Sequence, residues 1–344
     1  MKSNIIVVDL NTNINDLNES IEANDGLPRY FRVDTSKHSG PNHDLMRISL
    51  RNDSAKKILV DLTKLGFYTY WNTDGQTRLV RHDRVVHHWG AIKDGTYQTT
   101  DDGIVYSFSP AINAPLRKLL VIFSPLSSKP RLSRFFVQSF SKVQKFLAPG
   151  TAILRIADIG GVKGAFYLDT NFAPDNSANI ANFIHQYVSD LGLHREDVVL
   201  YGASKGGTAS VYHGLSNSWP FVAVDPILGD LWYEVNENDY HFTATGIFPQ
   251  TKEQVFHDLL SSDYVTANGD ATVSTVITAM NSPQRETVLS TLQPVAGRLR
   301  ILDSDNDAIT SHPDVAPNTI YAQIMVINSM LLGMEMRRTN VSIP

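Results

Sequence analysis

The sequence predicts an α/β fold: a mostly parallel sheet with helices on both faces, preceded by a small α+β region. Three observations carry this reading. After Pro115, short and nearly continuous apolar runs recur at 119–123, 152–156, 198–201, 221–224 and 299–302. Helical patterns lie between several of them. Before Pro110 the texture differs, being mixed and rich in aromatic and β-branched residues. Unbroken apolar runs fit strands buried on both faces, and strand–helix alternation implies parallel pairing.

Taken along the chain, region 1–112 reads as a small α+β unit. Gly66-Phe67-Tyr68-Thr69-Tyr70-Trp71 and Arg78-Leu79-Val80-Arg81 have strand composition. Asn72-Thr73-Asp74-Gly75 between them reads as a hairpin turn, because Asp-Gly tolerates positive φ. Region 113–344 holds the main sheet. Helices are expected over 134–147, after Asp175-Asn176-Ser177, directly after Ser204, and over 318–336. In the second of these, Ile180, Phe183, Ile184, Tyr187, Val188 and Leu191 form one apolar stripe at helical period. The tail 337–344 has the composition of a last strand. Interval 229–296 breaks the rhythm. It holds Trp232, Tyr233, Tyr240, Phe242 and Phe248, with helix starts near Pro249 and at Ser282-Pro283. It is expected to be a lid inserted over an active site, or else ordinary helical decoration.

Composition narrows the chemistry. At 344 residues, 42% apolar and 19% charged, the chain has the make-up of a globular protein with a large core. A net charge of −5 with no run of one sign lacks the basic face of a nucleic-acid binder. Without cysteine, disulfides, thiolate nucleophiles and Cys-based metal sites are excluded. The apolar run Ile5 to Val8 is too short for a signal-peptide core, and no stretch approaches the roughly 20 residues that span a bilayer. The expectation is a cytoplasmic protein without a membrane span. No cofactor is implied. His82, His87 and His88 cluster near Trp89, but adjacent histidines cannot face one side of a strand, so no metal site is expected there.

The strongest motif is Gly202-Ala203-Ser204-Lys205-Gly206-Gly207, a G-x-S-x-G match. Asp197-Val198-Val199-Leu200-Tyr201 before it reads as a buried strand, and Thr208-Ala209-Ser210-Val211-Tyr212-His213 after it as a helix. Strand, tight turn and helix are the setting of a nucleophile elbow, which adds an α/β-hydrolase type to the fold class. The neighbours two before and two after the serine must be small, and Gly202 and Gly206 are. Ser204 is therefore the expected nucleophile, at a helix N-terminus whose dipole favours developing negative charge. The N–H of Lys205 is one expected oxyanion donor, and that of Leu126, in the loop Ser124-Pro125-Leu126-Ser127-Ser128 after the first core strand, is the other. The competing reading is a structural Gly-rich turn or a phosphate loop, and neither G-x-x-x-x-G-K-[ST] nor an early G-x-G-x-x-G is present.

A serine hydroxyl needs a histidine base, and the base needs an orienting carboxylate. On this fold the order is serine, acid, histidine. The run 299–302 leads into Asp303-Ser304-Asp305-Asn306-Asp307. Asp307 is the first choice of acid and Asp305 and Asp303 are close rivals, unless the cluster is a solvated turn or a cation loop. Asp225, at the end of the run 221–224 and before Pro226, is another candidate. Its reading as a helix cap or buried hydrogen-bonding partner is preferred. Beyond Asp307 the one histidine is His312, the base by order and elimination, set unusually close to the acid. His213 reads as core, and His241 and His257 fall in interval 229–296.

Four segments carry a resemblance. Arg155-Ile156-Ala157-Asp158, Gly164-Ala165-Phe166-Tyr167-Leu168-Asp169-Thr170-Asn171, Tyr201 through Thr208, and Val224-Asp225-Pro226 resemble the XcbB/CpsF-type capsular polysaccharide biosynthesis proteins. The likeness covers 119–230 well and the ends loosely. It implies an α/β-hydrolase fold and work on cell-surface glycans or their acyl groups. Three functional readings follow from the residues and the resemblance. The first is an esterase-like serine hydrolase acting through an acyl-Ser204 intermediate on an acyl-bearing small molecule or glycan. The second is an acyltransferase passing the same acyl group to a glycan hydroxyl or an amine. The third is a non-catalytic scaffold.

Overall fold

Two sheets organise the chain. The computed structural model describes residues 3–38, 44–73, 75–238, 246–262, 274–334 and 337–344. The front unit is β1 (Ile5–Asp9), α1 (Ile14–Ala23), β2 (Tyr30–Asp34), α2 (Asp53–Lys64), β3 (Phe67–Thr73) and β4 (Gln76–Arg81). Then come β5 (Gln98–Thr99), β6 (Val105–Ser109), β7 (Lys118–Phe123), β8 (Thr151–Ile156), α3 (Asn176–Asp190), β9 (Val198–Ala203), α4 (Lys205–Asn217) and β10 (Phe221–Val224). The chain closes with α5 (Leu231–Glu237), α6 (Lys252–Leu260), β11 (Ser274–Ala279), α7 (Arg285–Leu292), β12 (Leu299–Ser304), α8 (His312–Asn318), α9 (Ile320–Leu331) and β13 (Asn340–Ile343).

The large sheet has the order β13-β12-β11-β10-β9-β7-β8-β6-β5. Every pair from β8 to β13 is parallel, while β5 and β6 attach antiparallel at the far edge. The apolar runs read as strands are all here. Along β7, Leu119, Val121 and Phe123 face one helical layer, and Leu120 and Ile122 face the other. Helices α3, α4, α6 and α7 supply Ile184, Leu215, Phe256 and Leu292 to the first layer. Helices α8 and α9 supply Val315, Val326 and Ile327 to the second. Burial on both faces explains why these strands show no polar alternation.

The small sheet, β1-β2-β4-β3, packs on the main body rather than standing apart. Phe31, Leu59 and Phe67 share one apolar cluster with Phe166, Leu168, Ile227 and Phe248. Arg134, fully buried, ties the two together: Nε donates to Val162 O and Nη1 to Thr69 O, both at 2.7 Å. The expected hairpin is present, with β3 and β4 antiparallel and Gly75 at φ 69°. Asp74 lies outside the described residues, as do Tyr240, His241 and Phe242.

Several expectations are corrected. Residues 134–147 form two short 3₁₀ turns, Leu132–Phe135 and Val143–Phe146, not a helix. Phe140 has φ 53°, which a helix cannot hold, and the Arg134 side chain is committed across the interface. The helix expected over 318–336 is the shorter α9, Ile320–Leu331, and a separate helix, α8, precedes it with a break at Thr319. Strands β5 and β6 belong to the main sheet although they precede residue 112. Interval 229–296 is not all insertion, because β11 lies within it and pairs with both β10 and β12. Its Ser-Thr-Val-Ile-Thr-Ala sequence hides a buried strand behind three hydroxyls.

Candidate active site

Ser204 forms the turn between β9 and α4, with φ 56° and ψ −120°. Such a conformation costs a non-glycine residue about 1–3 kcal/mol, and it persists only where the surroundings over-determine it. They do so here. Ser204 N–H donates to Val224 O at 2.9 Å, and Ser204 O accepts from Thr208 N–H at 3.1 Å. A Cβ on Gly202 would run into the Gly206 carbonyl, and one on Gly206 would lie 2.5 Å from Phe123 O. The smallness that the motif demands is thus backbone against backbone. Sheet, flanking helices and this elbow together make an α/β-hydrolase-type core.

His312 is the first residue of α8, and Ser311 before it donates from Oγ to Asp314 at 2.7 Å. Its Nε2 lies 2.9 Å from Ser204 Oγ and its Nδ1 2.6 Å from Asp225 Oδ2. A carboxylate can only accept, so Nδ1 carries the hydrogen and Nε2 is free to accept from the serine hydroxyl. Ser204, His312 and Asp225 therefore lie in one hydrogen-bonded line, an order of groups that could serve as nucleophile, base and orienting carboxylate.

The carboxylate in that line is Asp225, not Asp307. Asp225 is the first residue past β10, buried, with φ 43°, and its N–H donates to Ile277 O at 2.7 Å. Thr278 Oγ1 donates to its Oδ1 at 2.8 Å, and Ser282 Oγ donates to its Oδ2 at 2.5 Å. Asp307 is exposed, and His312 Nδ1 is taken by Asp225. Asp305 accepts from Ser342 Oγ at 2.9 Å, and Asp303 is paired with Arg285 at 2.6 Å. The tail of β12 thus holds a surface turn and an ion pair. The physical reason is distance along the sheet. β9 and β10 are nearest neighbours, about 4.8 Å apart, so an acid at the end of β10 sits beside Ser204. β12 is two strands further out. Thr278 and Ser282 were missed because β11 was not read as a strand.

Two backbone segments flank the elbow, the start of α4 and the chain leaving β7, which pairs with β9 as Phe123 opposite Gly202. Lys205 N–H opens α4, where the first turn has no helical acceptor. Past β7, Ser124 N–H is taken by Tyr167 Oη at 2.5 Å and Pro125 has no N–H, so Leu126 is the first residue with a donor to offer. The Lys205 side chain runs into the core. Its Nζ lies 2.7 Å from Asp158 Oδ2, both side chains wholly buried, in a charge contact off the line of a directed hydrogen bond. Burial pulls the Lys205 amine below its ordinary value, and the Asp158 carboxylate offsets part of that.

The other described histidines stay away from Ser204. His213 is buried in α4, stacked on Phe123, with Nε2 3.2 Å from Tyr167 O. Desolvation pushes it down to about 4. His82 and His88 bond to the hydroxyls of Tyr68 and Tyr30, and His257 is exposed.

No family model matches the chain, and no curated protein matches it by sequence. Among solved structures it is similar to the Glycosylation Associate Protein (Gap123) complex from Streptococcus agalactiae, at 14% identity and a TM-score of 0.49, over 77% of this chain and 53% of that one. The chain thus spans about half the length of that neighbour. It is similar to the capsule O-acetyltransferase of Neisseria meningitidis serogroup A, at 15% identity, over 67% of this chain and 93% of that one, with a TM-score of 0.45. It is also similar to the S-formylglutathione hydrolase FrmB from Staphylococcus aureus, at 14% identity, over 68% and 96%, with a TM-score of 0.43.

Proposed function

We propose that the protein is an esterase-like serine hydrolase acting through an acyl-Ser204 intermediate. The observation that carries this is the line Ser204–His312–Asp225, with contacts of 2.9 and 2.6 Å. Ser204 Oγ attacks the acyl carbonyl while His312 Nε2 takes its proton. Asp225 holds the ring and stabilises the imidazolium. The N–H groups of Lys205 and Leu126 receive the oxyanion. His312 then protonates the departing alkoxide, leaving the acyl group on Ser204. In the second half His312 deprotonates a water, which attacks the ester and releases the acid and free Ser204.

The experiment is labelling with a fluorophosphonate, read by intact mass and peptide mapping. Wild type gains one adduct at Ser204, and Ser204→Ala gains none. A wild-type chain without the adduct removes this reading and leaves the scaffold.

Acyl transfer is the second reading. It draws on the resemblance to XcbB/CpsF-type proteins, whose four segments supply Asp158, Tyr167, Ser204, Lys205 and Asp225, residues that the fold gathers around the elbow. A glycan hydroxyl would then take the place of water, in work on surface polysaccharide inside the cell. Partition of an acyl probe between water and added glycan or amine acceptors separates the two.

A further inference from the structure

Beneath the elbow lies a polar assembly that the chemistry above does not use. The Asp158 carboxylate accepts three consecutive backbone N–H groups, from Ala165 at 3.1 Å, Phe166 at 2.9 Å and Tyr167 at 3.0 Å. Lys205 Nζ closes its remaining side at 2.7 Å. Phe166 and Tyr167 have φ of 57° and 61°, a left-handed pair without glycine. Gly164 before them has φ 125°, and a Cβ there would overlap both the Asp158 carboxylate and Lys205 Nζ. This strained turn places one hydroxyl. Tyr167 Oη donates to Ile156 O at 2.7 Å and accepts Ser124 N–H at 2.5 Å.

The path therefore runs from one side of the nucleophile to the other. Lys205 supplies the backbone N–H after Ser204, and its own side chain grips Asp158. Asp158 fixes the turn that carries Tyr167, and Tyr167 pins the residue where β7 ends and the Leu126 loop begins. A wholly buried ion pair is weak evidence for a role in stability, because apolar residues of similar volume serve as well. Two left-handed non-glycine residues add cost of their own. What the arrangement gains is a fixed relation between the two backbone segments that border Ser204.

We propose that Lys205, through its side chain, and Asp158 and Tyr167 are positioning residues that hold the two arms of the oxyanion pocket in register. This rests on the serine-hydrolase reading. None of the three side chains is asked to touch the acyl group; they act through the N–H groups of Lys205 and Leu126. An oxyanion donor displaced by a fraction of an ångström loses transition-state stabilisation while ground-state binding persists.

The test is the inactivation of full-length protein by a fluorophosphonate, resolved into the reversible constant KI and the limiting rate kinact. The variants are Tyr167→Phe, which removes only the hydroxyl, and Lys205→Met, which removes the charge but keeps the backbone N–H. Both are assayed well below their melting temperatures. The expected result is a kinact lower by about tenfold to a hundredfold with KI within about twofold. Wild-type kinact in both folded variants, or a loss shared with KI, overturns the proposal while the hydrolase reading stands. A wild type unlabelled at Ser204 overturns the hydrolase reading first and this proposal with it. Should Lys205→Met fail to fold, Tyr167→Phe decides alone.

Discussion

Asp225 receives three side-chain hydrogen bonds, from His312, Thr278 and Ser282, which fix its side chain in place. Asp225→Asn keeps the shape but offers the ring an amide, which favours the wrong tautomer of His312. The expected loss in fluorophosphonate reactivity is about 10³–10⁴-fold, with melting temperature little changed. Asp307→Asn, at an exposed position, is expected to react at the wild-type rate. Equal losses in the two variants would return the acid to the β12 loop. At this scale the serine and the histidine were legible and the acid's rank was not. Ser204 stands in a spacing with a steric cause, and His312 follows from chain order. Asp225 and Asp307 each follow a strand and look alike until the strand order is known. That order depends on β11, whose hydroxyls disguised it. The hydroxyl of Thr278 that broke the apolar run is one that holds Asp225.

At the scale of the element, the β9–α4 junction is a sterically closed piece of backbone. Gly202 faces the Gly206 carbonyl with no room for a methyl group. Gly202→Ala is expected to cost about 1–3 kcal/mol, read as a lower denaturation midpoint at unchanged m-value. A wild-type midpoint would mean that the turn has slack. Elements buried on both faces were legible because burial leaves a plain apolar run, as in β7 through β10. Residues 134–147 were not, because their apolar spacing imitates a helix. There the conformation is dictated by distant partners, Arg134 reaching Val162 and Thr69, and local periodicity carries no trace of those.

For the whole molecule, the front sheet and the main sheet share one apolar cluster and should melt together. One buried group gives that melting a pH dependence. His213 is held neutral by desolvation, at about 4 against an ordinary 6.5. The unfolded chain thus binds a proton between those values that the folded chain refuses. The contribution is fully present above pH 6.5 and is lost as pH falls towards 4, by up to about 3 kcal/mol. His213→Phe is expected to flatten the stability curve across that window, measured by denaturant unfolding at a series of pH values. A variant curve as steep as wild type would assign the slope to other groups. The two-sheet division was legible as a change of texture along the chain. The attachment of β5 and β6 to the large sheet was not, since short edge strands carry little pattern.

The members of the Ser204–His312–Asp225 line are anchored unequally. Ser204 and Asp225 end adjacent strands in the middle of the sheet. His312 arrives on a seven-residue helix, after a stretch in which Asp305, Asp307, Ala308 and Thr310 face solvent. Segments with few buried contacts open at lower free energy than the core they border. Warming should therefore release the base while the sheet still stands. Reactivity towards the fluorophosphonate is expected to disappear at a lower temperature than the far-ultraviolet signal of the fold, and to return on cooling, since no thiol is present to cross-link a loosened chain. Coincident loss of the two signals would mean that the base is as firmly built in as the serine. Where reactivity is lost first, heat serves as a reversible off-position for the chemistry, set by one short helix rather than by the stability of the protein.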